Sequence, residues 1–295
     1  MAEPGALRDG SALLAHGAAR GFAAERALAS SAAREAGRLA LQLRAAGASP
    51  RAKPGGEPVS EADLAVDSFL KGRLCAARPG FGWLSEESAG WPGGPALWVV
   101  DPIDGTRDFL RGRPGWAVSV ALVVDGEPMV AALEAPDLSL SFLAERGRGA
   151  WCNGVPIAVS GRSPADAEPV RLPLEPHVPA SPLWGPGPAV RCVARPGSMA
   201  LRMAMVADGS ADAMIDGRTS RVWDVAAATL LVAEAGGRVT GRDGSPLRLG
   251  GPDIRVPGIV AATPAWHGPM QGQLEAVLAR LASAGRGAAR RQAGG

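Results

Sequence analysis

Apolar residues fall along the chain in two patterns: short unbroken runs, and longer stretches in which alanine and leucine recur among charged residues. The first pattern predicts buried strands and the second predicts helices. Residues 23–46, AAERALASSAAREAGRLALQLRAA, are strong helix formers, and Gly47 supplies a stop. Residues 52–58 form a Gly/Pro loop. Ser60 then caps a second helix, EADLAVDSFLKGRLCAA, with Asp63 at its third position, as in a capping box built on a shorter acid. Strands follow at 82–84 and 97–100, then at Ala117–Val124 and 128–133, which flank the hairpin turn Asp125-Gly126, and at 140–144 before a turn at 147–149. The proline-rich stretch 160–188 lacks a period and reads as a connection between two halves. Beyond it come a strand at 189–194, a helix at 198–207 and a strand at 211–215. A helix at 223–235, stopped by Gly236-Gly237, precedes a strand at 259–262 and a helix at 269–282. Residues 1–22 read as a loose leader and 283–295 as a disordered tail.

Composition narrows the class. The chain has 295 residues, 46% of them apolar and 20% charged, enough for one large or two medium domains. Its 31 basic and 29 acidic side chains leave a net charge of +2, which argues against a dedicated nucleic-acid binder. Cys75, Cys152 and Cys192 are far apart and form no CxxC pair, so a zinc site or disulfide framework is not expected and a reducing cytoplasm fits. The sequence shows no secretory signal, and no apolar run reaches the roughly 18 residues of a membrane span.

The chemistry concentrates where the apolar run 97–100 ends, at Asp101-Pro102-Ile103-Asp104-Gly105-Thr106. Two aspartates three apart at a strand end can converge on one point, and hard cations such as magnesium take oxygen ligands in near-octahedral geometry. Pro102 stiffens the turn, and the Ile103 carbonyl can add a neutral ligand. Gly105 lets an anion approach N–H groups that open a helix. A bare DPxD reads as an ordinary turn, whereas all six residues behind a buried strand read as a metal and phosphate site. Three further signals each have a plain explanation. Glu86-Glu87 alone is a solvated acidic turn, because adjacent carboxylates repel unless solvated or bridged by a cation. Asp224 sits in the first turn of an apolar helix, where the macrodipole favours an acid. Lys53 and Asp63 read as a solvated lysine and a helix cap.

In this order, with Trp151-Cys152-Asn153-Gly154 and the final WDVAAA and AGG, these features resemble the inositol monophosphatase superfamily over residues 23–282. Within it, the chain is most similar to bacterial 3'(2'),5'-bisphosphate nucleotidases of the CysQ type. The resemblance implies an α/β fold, a layered αβαβα sandwich of the sugar-phosphatase type. Residues 23–159 form an α+β half with the metal site, and residues 189–282 form an α/β half. It also implies hydrolysis of a phosphate monoester by metal-activated water with about two or three Mg2+ ions. Mn2+ would substitute, and Li+ or Ca2+ would inhibit. One ion takes Glu86, Asp101 and the Ile103 carbonyl; a second takes Asp101, Asp104 and Asp224; a third, weaker ion shares Glu86, with Glu87 and Lys53 nearby. Asp63, Thr106 and Glu87 form the catalytic set, in which Thr106 orients the water. Glu86, Ile103, Asp104, Gly105, Thr106, Ser198, Arg218 and Asp224 meet the substrate. No covalent phosphoenzyme is implied, in keeping with His16, His177 and His267, which lie in no motif. The implied partner is a small phosphorylated metabolite, with no nucleic-acid polymer and no membrane span; relatives are often homodimers.

The substrate is read from departures. Inositol monophosphatases carry a glutamate where this chain has Gly217, and commonly threonine and alanine where it has Ser198-Met199. Arg218 and Arg221 precede Trp223, and Arg107, Arg111 and Arg113 follow the aspartate motif. Planar guanidinium forks suit a second anionic group. A bisphosphate nucleotide therefore ranks first, an inositol-type sugar phosphate second and histidinol phosphate third. A non-catalytic relative that binds a metabolite is the contrasting class, disfavoured because Glu86, Asp101, Asp104, Thr106 and Asp224 are all present.

Overall fold

The structure, a computed structural model, describes residues 21–47, 50–52, 58–88 and 96–293. The expected leader at residues 1–20 and Lys53 lie outside the described residues.

Helix α1 (Ala23–Ala45) precedes a small antiparallel pair, β1 (Pro50–Ala52) and β2 (Pro58–Ser60). Helix α2 (Glu61–Ala77) begins at the expected capping box: Asp63 N donates to Ser60 Oγ at 3.3 Å, and the Asp63 carboxylate accepts from Ser60 N at 2.7 Å. The main sheet then runs β3 (Gly82–Ser85), β4 (Ala96–Asp104), β5 (Ala117–Val124), β6 (Glu127–Ala135), β7 (Leu140–Glu145), β8 (Gly149–Cys152) and β9 (Val155–Ile157), in that spatial order. Its β3–β4 pair is parallel and the others antiparallel. Asp125 and Gly126, at φ 51° and 82°, make the left-handed turn that matches the twist of β5 and β6. A short helix, α3 (Thr106–Leu110), hangs from the end of β4.

Both faces of this sheet are covered, which is why β4 and β5 read as unbroken apolar runs. Trp98, Val100, Val120 and Leu122 pack under α1 and α2. Leu97, Val99, Ala121 and Val123 face the opposite core, shared with α4 (Met199–Ala207) and α5 (Val222–Glu234). On the far side of those helices lies a second antiparallel sheet, ordered β12 (Ala213–Arg221), β14 (Arg255–Ala262), β13 (Arg238–Gly241). Its outer face packs on α6 (Pro264–Ala293) through Trp266, Met270 and Leu274. The layers are thus αβαβα, as the resemblance implied. Sandwiched between two sheets, α5 has no need of a polar face, and WDVAAATLLVAE shows none.

Several spans differ from the sequence reading. The connection 160–188 contains β10 (Val170–Leu172), which pairs in parallel with β11 (Val190–Cys192), and its Trp184 is buried in the third core. Strand β13 has no counterpart among the expected elements. Helix α6 starts at Pro264 and continues through residues 283–293, where a disordered tail was expected. Alanine and arginine there have high helix propensity, and extending an existing helix needs no new nucleus. Among the described residues, no helix is long and apolar enough to cross a membrane.

Candidate active site

Parallel pairing of β3 with β4 puts Ser85 opposite Val100, so Glu86 leaves its strand level with Asp101. The β4–β5 register runs from Asp101 opposite Ser119 to Asp104 opposite Ala117, leaving one extra residue on β4. That bulge re-aims the strand end and brings two aspartates, three apart, toward one region. The next residue, Gly105, has φ 92°, and a Cβ there would lie 2.9 Å from both the Gly115 carbonyl and the Ser198 nitrogen. Only glycine fits this turn from strand to α3. Asp224 enters from the first turn of α5, where its carboxylate accepts from Arg221 N at 2.8 Å. Ligand atoms of Glu86, Asp101 and Asp224 all lie within 4.8 Å of one another.

The carboxylates divide into two kinds. Asp104 is already satisfied: it accepts from Ser198 Oγ at 2.6 Å, Ala200 N at 2.8 Å and Met199 N at 3.1 Å, all at the start of α4. Burial raises its pKa, and these donors restrain the rise. Asp101 is fully buried and, among the described residues, accepts only from Ile103 N, at 3.1 Å. Burial, then the charges of Glu86, Asp104 and Asp224, push its pKa well above the carboxylate range. Burial and Asp104 raise Asp224 to about 8. Acids forced toward protonation by one another form a site that a hard cation would relieve, and the donors are all oxygens. The residues present therefore fit a divalent metal.

Beside this cluster, Thr106 Oγ1 lies 3.3 Å from Asp63 Oδ1 and 3.1 Å from the Ile103 carbonyl. Burial raises the pKa of Asp63 despite its hydrogen bonds to Ser60. A cleft of about 1300 Å3 opens over Glu86, Asp101, Asp104, Thr106 and Asp224. Arg107, Arg111, Arg113, Arg218 and Arg221 are among the residues that line it. Glu87 sits next to Glu86 and stays outside the three-carboxylate group. Ser198 is buried as the N-cap of α4, with its hydroxyl on Asp104. Arg218 turns its fork onto Asp216, at 3.0 Å and 2.7 Å. The sequence reading missed Arg202, a buried guanidinium lining the cleft 3.5 Å from Asp216. A lone charge inside the apolar helix MALRMAMVA was the available signal.

Comparison with known proteins places this geometry. Residues 23–284 match the model described as the inositol monophosphatase family. A Streptomyces griseus protein named as a glucose-1-phosphate thymidylyltransferase is 41% identical over 202 residues, covering 64% of this chain and 74% of that protein. A histidinol-phosphatase of Mycobacterium tuberculosis is 36% identical over 225 residues, covering 70% of this chain and 83% of its own length. Among solved structures, the extragenic suppressor protein SuhB from Bartonella henselae superposes with a TM-score of 0.73 at 30% identity, over 85% of this chain and 98% of that one. These relatives carry three different names, so the substrate has to be argued from the cleft.

Proposed function

The chain belongs to the inositol monophosphatase family, and from that premise we propose that it is a Mg2+-dependent phosphatase acting on a 3'(2'),5'-bisphosphate nucleotide. The observation that carries the reading is the meeting of Glu86, Asp101 and Asp224 within 4.8 Å at the foot of an arginine-lined cleft. Glu86, Asp101, Asp104, Asp224 and the Ile103 carbonyl would hold the metal, and Glu87 would stand near its edge. Bound there, a divalent cation lowers the pKa of its water and steadies the leaving ester oxygen. Thr106 fixes the direction of attack: its hydroxyl points its proton at Asp63 and the Ile103 carbonyl and leaves its lone pairs to take one from water. Asp63, whose pKa burial raises, is the base that would accept that proton. The N–H groups of Gly105 and Thr106 open α3 and would face the phosphate.

The second anion is argued from charge. Arg107, Arg111 and Arg113 line the cleft and make no ion pair among the described residues. Together with Arg218 they favour a substrate carrying a negative group beyond the one removed. The test is phosphate release with Mg2+ from adenosine 3',5'-bisphosphate, inositol-1-phosphate, histidinol phosphate and fructose-1,6-bisphosphate. A control with dTTP and glucose-1-phosphate tests for nucleotidyl transfer. The highest kcat/KM is expected with the adenosine bisphosphate. Preference for histidinol phosphate would overturn the substrate, and no release from any ester would overturn the class. Inhibition by Li+ and a cytoplasmic homodimer belong to the same proposal, tested by adding LiCl to that assay and by sedimentation.

A further inference from the structure

Helix α2 carries two buried acids one turn apart, Asp63 and Asp67, at 2% and 5% exposure. Residues four apart share a helix face, so both point at the main sheet. Asp63 holds Thr106. Asp67 Oδ1 accepts a hydrogen bond from the Ser85 hydroxyl. Ser85 is fully buried, ends β3 and immediately precedes Glu86. Beyond Ser85, Glu86 N donates to the Val100 carbonyl at 3.3 Å, and past the acidic pair Ser88 Oγ accepts from Trp83 Nε1 at 2.9 Å. The Asp67–Ser85 contact thus holds the last residue of β3, directly before the acidic pair.

Stability alone accounts poorly for this arrangement. A carboxylate at 5% exposure, on the helix that sends Val66 and Leu70 into a core with Trp83 and Val100, loses its hydration. One neutral hydroxyl replaces only part of that hydration. We propose that Asp67 is a positioning residue for metal binding: through Ser85 it fixes the departure angle of Glu86, so that Glu86 meets Asp101 and Asp224. The inference rests on the metal reading above and deepens it, because it gives α2 command of both the water-orienting Thr106 and the ligand Glu86. Groups that orient a ligand without touching the metal typically change its affinity by about 10–100-fold.

The experiment is calorimetric titration of the full chain with Mn2+ alone at pH 7.5, with thermal melts of the metal-free protein alongside. Wild type is titrated first; absence of binding there would sink the metal reading itself, and this inference with it. Given binding, Asp67→Ala and Ser85→Ala should each weaken Mn2+ by about ten-fold or more. The double variant should be no weaker than either single one, because both remove the same contact. Asp67→Asn, which keeps an acceptor oxygen, should bind within about three-fold of wild type and melt no lower, since it buries no charge. Losses that add in the double variant, or Mn2+ affinity within two-fold of wild type in folded Ser85→Ala, would overturn the proposal. Should Asp67→Ala fail to fold, Ser85→Ala and Asp67→Asn decide the matter.

Discussion

Asp101 and Asp104 look equivalent in the motif, and the structure predicts opposite effects of the same substitution at the two positions. Asp104→Asn keeps the volume but presents an amide to three donors at the start of α4. One amide nitrogen must then face an N–H group, and a charge-assisted bond becomes neutral. The loss is about 2–4 kcal/mol. For 295 residues the unfolding entropy is roughly 0.6 kcal/mol per degree, so the metal-free melting point should fall by about 3–7 °C. This departs from the simpler expectation that an isosteric ligand change leaves folding intact. Asp101→Asn removes a buried acid whose one donor among the described residues is Ile103 N and whose neighbours repel it. The metal-free protein should gain on the order of 1–3 kcal/mol of stability and melt higher. The sign with pH follows from the raised pKa. The folded protein holds this proton more tightly than the unfolded chain, so wild type loses stability as pH climbs from the ordinary carboxylate range through the folded value. The advantage of Asp101→Asn should therefore be larger at pH 8 than at pH 5. Adding Mg2+ should raise the melting point of wild type and leave both variants nearly unmoved, and both should lose phosphatase activity. The assay is a pair of melting curves per protein, with EDTA and with Mg2+. If the two variants shift the EDTA curve in the same direction, the division into one acid held by protein donors and one awaiting a cation is wrong.

Thr106→Val removes the hydroxyl at nearly constant volume and should lower kcat by about 10²–10⁴-fold with little change in melting point; initial rates at saturating Mg2+ check this. Asp224, raised to about 8 in the metal-free protein, must lose its proton to bind a cation. The Mg2+ concentration for half-maximal activity should then fall steadily from pH 6 to pH 8 and level off above, and a flat profile would contradict it. Arg218→Ala should raise KM for adenosine 3',5'-bisphosphate by about ten-fold, the scale of one charge-assisted bond. KM for inositol-1-phosphate should stay within two-fold, and equal increases would remove the second-anion idea.

Local signals carried a large part of this molecule. Helix α2 was legible to the residue because Ser60 and Asp63 form a box that closes within four positions. Strand β5 was legible because both its faces are buried and a left-handed turn bounds it. What failed to show was non-local. Strands β10 and β13 are three and four residues long and exist through partners elsewhere in the chain, β11 and β14. Propensity over so few residues cannot outweigh context. The site divides in the same way. The motif announced Asp104 as an acid at a strand end, but its donors lie 94 to 96 positions later. Nothing in DPIDGT shows that this acid is satisfied while Asp101 is not. The Asp67–Ser85 pair was equally silent, since an aspartate inside an amphipathic helix reads as a solvated face until β3 is laid against it.

The division among the acids also bears on how many cations the site requires. Helices α3, α4 and α5 all begin at the cleft, and a helix N-terminus carries roughly half a positive charge. The α4 terminus is spent on Asp104, whose oxygens take its first N–H groups. The α5 terminus is partly spent on Asp224, through Arg221 N. That leaves the Gly105–Thr106 end of α3 for an incoming phosphate. Glu86, Asp101 and Asp224 then remain as three carboxylates gathered within 4.8 Å of one another. One divalent ion leaves three carboxylates one charge short, and two leave them one charge over. A phosphate dianion entering such a site restores the deficit, which the arginines on the cleft wall or a further ion must meet. Metal binding before substrate should therefore stop near two equivalents, and any further equivalent should appear only when phosphate is present. Three tight equivalents bound in the absence of phosphate would show that this charge balance does not govern the site.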